Sequence, residues 1–250
     1  MPIITIANQK GGVGKTTTAI TIAHGLALLG KDVLVIDLDP QGQCATLLGM
    51  KQESGIFGIL IQELPLKVWI RYTGREHLWL IPGNNKSALA ATIMSVTSTS
   101  ITKLKDILRP ALKSGLQYVI IDTAPSVGDL QAQGLYAADR ILIPTACDFA
   151  SSQGVVRLVQ TMGILADEHH WSGELIGILP TFFDEQTRET KATLGDLNTN
   201  FPNMLLPPIH RATVLRECMA NGKTIFELAQ RDRAAEEYRI TIKYIQKVTK

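Results

Sequence analysis

Near the amino terminus, Lys10-Gly11-Gly12-Val13-Gly14-Lys15-Thr16-Thr17 sets three glycines between two lysines, directly after the apolar run Ile3–Ala7. Glycine lets backbone N–H groups turn inward and approach an anion closely, so such a loop can cradle phosphates. Lys15 can neutralise the β/γ-phosphates of a nucleotide, Thr16 can offer its hydroxyl to Mg²⁺, and the helix beginning there directs its positive end at the same anion. The strict pattern GxxxxGK[ST] is broken at its first position, which is Gln9, and a second lysine, Lys10, precedes the glycines instead. Two carboxylates complete the chemistry. Asp122 ends an apolar run that can hold it rigidly within reach of a metal-bound water. Asp39 is followed by Pro40 and Gly42, a turn composition that sets its carboxylate on a loop near the γ-phosphate, where it can orient a water. Asp37 has two open readings, support of the magnesium shell or a cap on its strand.

These groups need elements to hold them. Short apolar runs at Ile3–Ala7, Val33–Asp37, Leu78–Pro82, Tyr118–Asp122, Ile141–Pro144, Leu175–Pro180 and Met204–Leu206 read as strands of a mostly parallel sheet buried on both faces. Between the first two, Thr16–Leu29 carries Ala19, Ile20, Ala23, Leu26 and Ala27 and stops at Gly30, the pattern of an amphipathic helix. The alternation predicts an α/β, doubly wound fold with helices flanking the sheet, in which loops at the carboxyl ends of the strands bind ligands. Asp37, Asp122 and the glycine loop all fall at such ends. Ile56–Leu64 reads as a helix and Trp69–Tyr72 as a short strand, both without a firm pattern, while Ser95–Thr102 reads as a polar connection into a helix over Lys103–Lys113. Nothing marks a linker or repeat, so residues 1–250 are expected to form one domain.

The run from Lys10 to Thr17 resembles the deviant Walker A motif of the ParA/MinD family of P-loop ATPases. Asp37-Leu38-Asp39-Pro40-Gln41-Gly42 resembles that family's first switch, and Val119-Ile120-Ile121-Asp122-Thr123-Ala124-Pro125 its Walker B motif and second switch. The resemblance implies an ATP hydrolase using ATP and Mg²⁺, with Gly11, Gly12, Val13, Gly14, Lys15, Thr16, Thr17 and Asp122 around the nucleotide and Thr16, Asp37 and Asp122 around the metal. It implies that Asp39 positions the attacking water. It also implies that Lys10 reaches across a nucleotide-sandwich homodimer to the partner's ATP, as a trans arginine finger does. Thr181-Phe182-Phe183-Asp184 and Pro207-Pro208-Ile209-His210-Arg211 resemble the segments beside the adenine, which brings in Thr181, Phe182 and Pro208; core-edge loops are the alternative.

The region from Leu206 to Phe226, with Arg211, Leu215, Glu217 and Gly222-Lys223-Thr224-Ile225, is similar to the partition side of the family. That implies an ATP dimer bound to nonspecific DNA and a ParB-like or other adaptor that carries a cargo such as a plasmid, chromosome or protein assembly and stimulates hydrolysis. His210 and Val214 depart from the common partition pattern, so DNA contacts are expected from other cations such as Arg216 and Lys223. A further candidate is a stripe of Arg239, Lys243, Lys247 and Lys250 on the last helix, with Ile240, Tyr244 and Val248, helped by Ile245, expected on the packed face beside it.

The net charge of +2 does not itself mark a nucleic-acid binder, and Cys44, Cys147 and Cys218 form no CxxC pair, so neither a disulfide framework nor a zinc site is indicated. A cytoplasmic, nucleoid-associated protein is expected, with no stable membrane anchor, because the ending Lys247-Val248-Thr249-Lys250 lacks the apolar tail of a membrane-positioning relative. The runners-up are a MinD-like membrane-surface ATPase and a metabolic enzyme on the same fold. His169-His170-Trp171 reads as an exposed loop.

Overall fold

A computed structural model describes residues 1–110, 115–125 and 128–249. Seven strands form one sheet: β1 (Ile3–Ile6), β2 (Val33–Asp37), β3 (Arg71–Tyr72), β4 (Leu78–Ile81), β5 (Tyr118–Asp122), β6 (Arg140–Ala146) and β7 (Glu174–Thr181). Their order is β3-β4-β2-β5-β1-β6-β7, and every neighbouring pair is parallel except β3 with β4. The sequence IITI of β1 is apolar but for Thr5, and all four residues are buried, as a strand covered on both faces must be. Thr5 satisfies its hydroxyl by donating to the Gly134 carbonyl at 2.6 Å.

The register decides where the chemistry sits. Asp37 and Asp122 are opposite each other on β2 and β5, and Ile6 pairs with Asp122, so both carboxylates and the start of the glycine loop emerge together at one sheet edge. From that loop springs α1 (Lys15–Leu28), one residue earlier than the pattern predicts. It is not amphipathic in the ordinary sense, because Thr18 through Ala27 are all buried. The last helix, α11 by chain order (Arg233–Val248), covers its outer side, and an added Cβ at Gly25 would collide with Ile242.

Two shorter expectations hold in part. The helix α3 (Gly55–Leu60) ends before Leu64, and β3 is the brief strand foreseen near Trp69–Tyr72. The polar connection begins later than expected, since α4 (Lys86–Val96) takes in Ser95; α5 (Lys103–Leu108) follows, and the remainder of the helix predicted to Lys113 lies partly outside the described residues.

Met204–Leu206 is not a strand. It adds to the edge of β7 only through the bridge of Ile178 with Leu205, made by Ile178 N–H to the Met204 carbonyl at 2.8 Å and Leu206 N–H to the Ile178 carbonyl at 2.9 Å. Pro207 and Pro208 follow at once and supply no N–H to extend the ladder. Trp171 also departs from its expected exposure. His169 ends α7 (Phe149–His169) and His170 takes the left-handed conformation after it, which turns Trp171 inward, buried, with Nε1 donating to the Ala138 carbonyl at 2.9 Å. Among the described residues no helix is long and apolar enough to cross a membrane.

Candidate nucleotide site

The loop between β1 and α1 is built from its first residue. Buried Asn8 donates from Nδ2 to the Pro144 carbonyl at 2.8 Å, and its Oδ1 accepts the Lys10 N–H at 2.9 Å, so the loop entrance is tied to β6. Gly12 and Gly14 then adopt φ of 75° and 83°, values that a side chain would strain, and Gly14 ends at the first turn of α1. The far side of the loop is pinned by Thr181, whose hydroxyl donates to the Val13 carbonyl at 3.0 Å.

Lys15 is only 6% exposed, and its ammonium donates to the Lys10 carbonyl at 3.1 Å. Burial pushes its pKa below the usual lysine value, while Asp122 and Asp39 pull it back up. The Lys10 side chain is exposed on the rim and enters no hydrogen bond or ion pair among the described residues. The cleft beside the loop measures about 360 Å³. Its walls are Gly11, Gly12, Gly14, Lys15, Thr16 and Thr17 on one side, Asp39, Gln41 and Gln43 on the other, with Pro125, Phe182 and Met219 closing it.

Both acidic strand ends are fully buried. Burial pushes Asp122 up to about 6, against the hydrogen bond from Thr16 that lowers it. Asp37 is raised well above the ordinary carboxyl value by burial and by the neighbouring Asp122. Asp37 also accepts the N–H of Asp39 at 3.2 Å on one oxygen and that of Cys44 at 3.0 Å on the other, which moors both ends of the loop between them. These bonds extend the capping reading of Asp37 from its strand to the loop that follows, and the same carboxylate stands with Asp122 and Cys44 in a buried group whose ligand atoms lie within 4.8 Å of one another, as its metal-shell reading requires. Asp39 stays half-buried on that loop and accepts the Gln41 N–H at 2.8 Å.

The donor set fits a hard cation. Thr16 Oγ1 lies 2.7 Å from Asp122 Oδ2, and Asp122 Oδ1 is buried with no hydrogen-bond partner among the described residues. An ionised oxygen left in that state is costly, and a hydrated Mg²⁺ beside an adjacent hydroxyl would satisfy it.

Phe182, at φ 53°, directs its ring to the loop, and a Cβ built on Gly14 would lie 3.9 Å from it. Pro208 is half-buried in a segment running beside the end of β7, through Ile209 N–H to Pro180 at 2.8 Å and Arg211 N–H to Phe183 at 2.9 Å; it does not line the cleft. The unusual His210 has a structural reason: its Nδ1 meets Glu237 Oε1 at 2.6 Å, tying this segment to α11.

Arg216, Lys223, Lys243 and Lys247 are exposed. Arg239 is not a free cation as the stripe supposed, for it pairs with Glu236 at 3.0 Å, donates to the Gln230 carbonyl at 2.8 Å and stacks over Phe226. Lys250 lies outside the described residues. The packed face of α11 is centred on Tyr238, Ile242 and Ile245, all buried, with Tyr244 and Val248 packed partly buried beside them; Ile240, expected on that face, is 42% exposed. Met219 and Gln43 were missed as cleft residues. Gln43 follows the Asp39 turn closely enough to have been suspected, but nothing local marks Met219.

Residues 1–172 match a family model described as an AAA domain. The chain is 32% identical to the chromosome partitioning protein ParA of Myxococcus xanthus over 94% of its own length and 84% of that protein's. The chain belongs to the ParA/MinD family of P-loop ATPases. Its fold is that of Cyanothece McdA in its apo form, with a TM-score of 0.90 at 21% identity over 98% of this chain and 99% of that one. The ParA/MinD fold also extends to cobyrinic acid a,c-diamide synthase of Mycobacterium smegmatis with bound ATP analogue and magnesium. That structure has a TM-score of 0.83 and 28% identity, over 98% of this chain and 94% of the other.

Proposed function

We propose that this chain, acting as one ATPase domain, binds Mg-ATP in the loop cleft, closes with a second copy into a nucleotide-sandwich homodimer, and binds duplex DNA without sequence preference. A ParB-like or other adaptor stimulates hydrolysis and couples the cycle to positioning of a plasmid, chromosome or protein assembly. The protein would then work in the cytoplasm on the nucleoid.

The observation that carries this reading is the contrast between two lysines. Lys15 is turned inward with its ammonium on the Lys10 carbonyl, so it already points where phosphates would lie. Lys10 stands exposed without a hydrogen-bond or ion-pair partner among the described residues, and a facing copy's phosphates supply one. In the cleft, Gly11, Gly12, Val13 and Gly14 offer backbone N–H groups, Thr16 and Asp122 hold the cation with Asp37 behind them, and Thr17 flanks the phosphates. Bound Mg²⁺ supplies positive charge to the phosphate oxygens. Asp39 holds the attacking water and accepts its hydrogen bond, while Phe182 and Thr181 flank the base and Pro208 stands at its edge. For DNA, Lys243, Lys247, Arg216 and Lys223 are exposed and would meet phosphates.

Sedimentation with duplex DNA in Mg-ATP and in Mg-ADP, beside light scattering of the protein alone, tests the reading. DNA is expected to carry the protein down only with ATP, under conditions that give a dimer. Lys10→Ala should bind nucleotide and remain monomeric. A normal ATP-dependent dimer of that variant overturns the trans-lysine role, and recruitment to anionic vesicles without DNA binding replaces the reading with a MinD-like one.

A further inference from the structure

Two short helices wall the cleft from opposite ends of the sequence. The first, α2 (Gln43–Leu47), begins immediately after the Asp39 turn and is moored to Asp37 through the Cys44 N–H. The second, α9 (Val214–Asn221), brings Met219 to the cleft and carries exposed Arg216, with exposed Lys223 just beyond its end. Their carboxyl ends meet backbone to backbone. Gly49, at φ 72°, and Gly222, at φ 60°, are so close that a Cβ on Gly222 would lie 2.6 Å from the Gly49 Cα.

One side chain closes this junction. Arg75, in the turn between β3 and β4, donates from Nη1 to the Leu48 carbonyl at 3.0 Å and to Thr73 at 3.2 Å. From Nη2 it donates to the Gly222 carbonyl at 2.9 Å and to Glu227 Oε2 at 2.9 Å, and its Nε reaches Glu227 Oε1 at 3.0 Å. Its side chain is only 11% exposed. Glu227 in turn accepts the Thr224 N–H at 2.7 Å as the capping box of α10 (Ile225–Leu228). The planar guanidinium therefore grips the last carbonyl turn of α2 and the cap of α9 in one fork, which an ammonium cannot reproduce.

We propose that Arg75 is a positioning residue that makes α9 follow α2, so that the nucleotide state sensed at Asp39 is transmitted to Met219 in the cleft and to Arg216 and Lys223 on the surface. This rests on the nucleotide reading given above and adds to it the route by which nucleotide reaches the DNA-facing cations. The physical content is rigidity: two helix ends with no room between their backbones, clamped by one residue, must move as a unit when the Asp39 loop rearranges.

Hydrogen exchange of the full chain in Mg-ADP and in a non-hydrolysable Mg-ATP analogue, for the parent and Arg75→Lys, provides the test. In the parent, peptides over 38–48 and 214–223 should both change protection between the two nucleotides. In Arg75→Lys the 38–48 response should persist and the 214–223 response should be lost. Glu227→Gln keeps the capping-box acceptor but weakens the grip on Arg75, and should reduce the 214–223 response without abolishing it; it also carries the test if Arg75→Lys does not fold. An unchanged 214–223 response in both variants, or none in the parent, overturns the proposal. Failure of the parent to bind the analogue at all, measured by calorimetry on the same sample, overturns the nucleotide reading and this inference with it.

Discussion

Replacing Asp122 by asparagine in the nucleotide-free protein should change how stability depends on pH, and the size of the change follows from two buried groups of opposite sign. Asp122 holds its proton up to about 6 in the fold, against an ordinary value of 3.8, because burial disfavours its charge. A carboxyl with a raised folded pKa binds more protons in the native state between those values, so it favours the fold at low pH and withdraws that support as pH rises to about 6. The difference is worth about 3 kcal/mol. His24 acts in the opposite direction. It is buried on α1, with Nδ1 2.6 Å from the Thr224 hydroxyl, and burial lowers its pKa from 6.5 to about 4. The native state then binds fewer protons than the unfolded chain between about 4 and 6.5, and stability rises with pH across that window by about 3 kcal/mol.

In the parent the two contributions oppose each other over the same range. Asp122→Asn removes one of them, and also removes a cause of the raised Asp37, which acts with Asp122. Urea unfolding between pH 4.5 and 8 in the presence of a chelator should therefore show the variant gaining, relative to the parent, about 2 kcal/mol as pH rises, the part of the Asp122 contribution that lies above pH 4.5. Identical pH profiles for parent and variant would refute the account of the buried acids. His24→Gln serves as the converse control and should tilt the profile the other way.

Removing the ammonium with Lys15→Met should raise the nucleotide Kd by about tenfold to a hundredfold in calorimetry, the worth of one charge-assisted contact, while the protein still folds. Gly222→Ala should cost about 2 to 4 kcal/mol in chemical denaturation, since it adds overpacking against the Gly49 Cα to the strain of φ 60°; Gly30→Ala, at φ 72° with open space around it, should cost only about 1 kcal/mol. Equal losses at the two glycines would show that the α2–α9 junction is not tightly packed. Changing both Lys243 and Lys247 to glutamate should weaken DNA binding alike for all sequences and make the dependence of log affinity on log salt shallower by about 2 per protomer, with ATP-dependent dimerisation intact. An unaltered salt slope would move the DNA face elsewhere.

Much of the phosphate site is legible in the chain itself because its chemistry is contiguous. Gly12 and Gly14 need their conformations for reasons of local sterics, Lys15 and Thr16 follow them onto the helix, and Asp39 sits on its own turn, so spacing alone brings these groups to one place. Asp37 and Asp122 are remote in sequence, yet each ends a strongly apolar run, and parallel pairing in a sheet buried on both faces leaves few registers in which two such ends do not meet. What only the tertiary structure decided are the contacts between elements whose local patterns are silent about one another. Met219 reaches the cleft because Gly49 and Gly222 let two helix ends touch, Arg239 is occupied because Glu236, Gln230 and Phe226 surround it, and Ile240 faces solvent because Gly25 admits Ile242 to the surface of α1 instead. Periodicity says which faces of a helix are apolar; which of them is covered depends on where the partner leaves room, and that is a property of the packed whole.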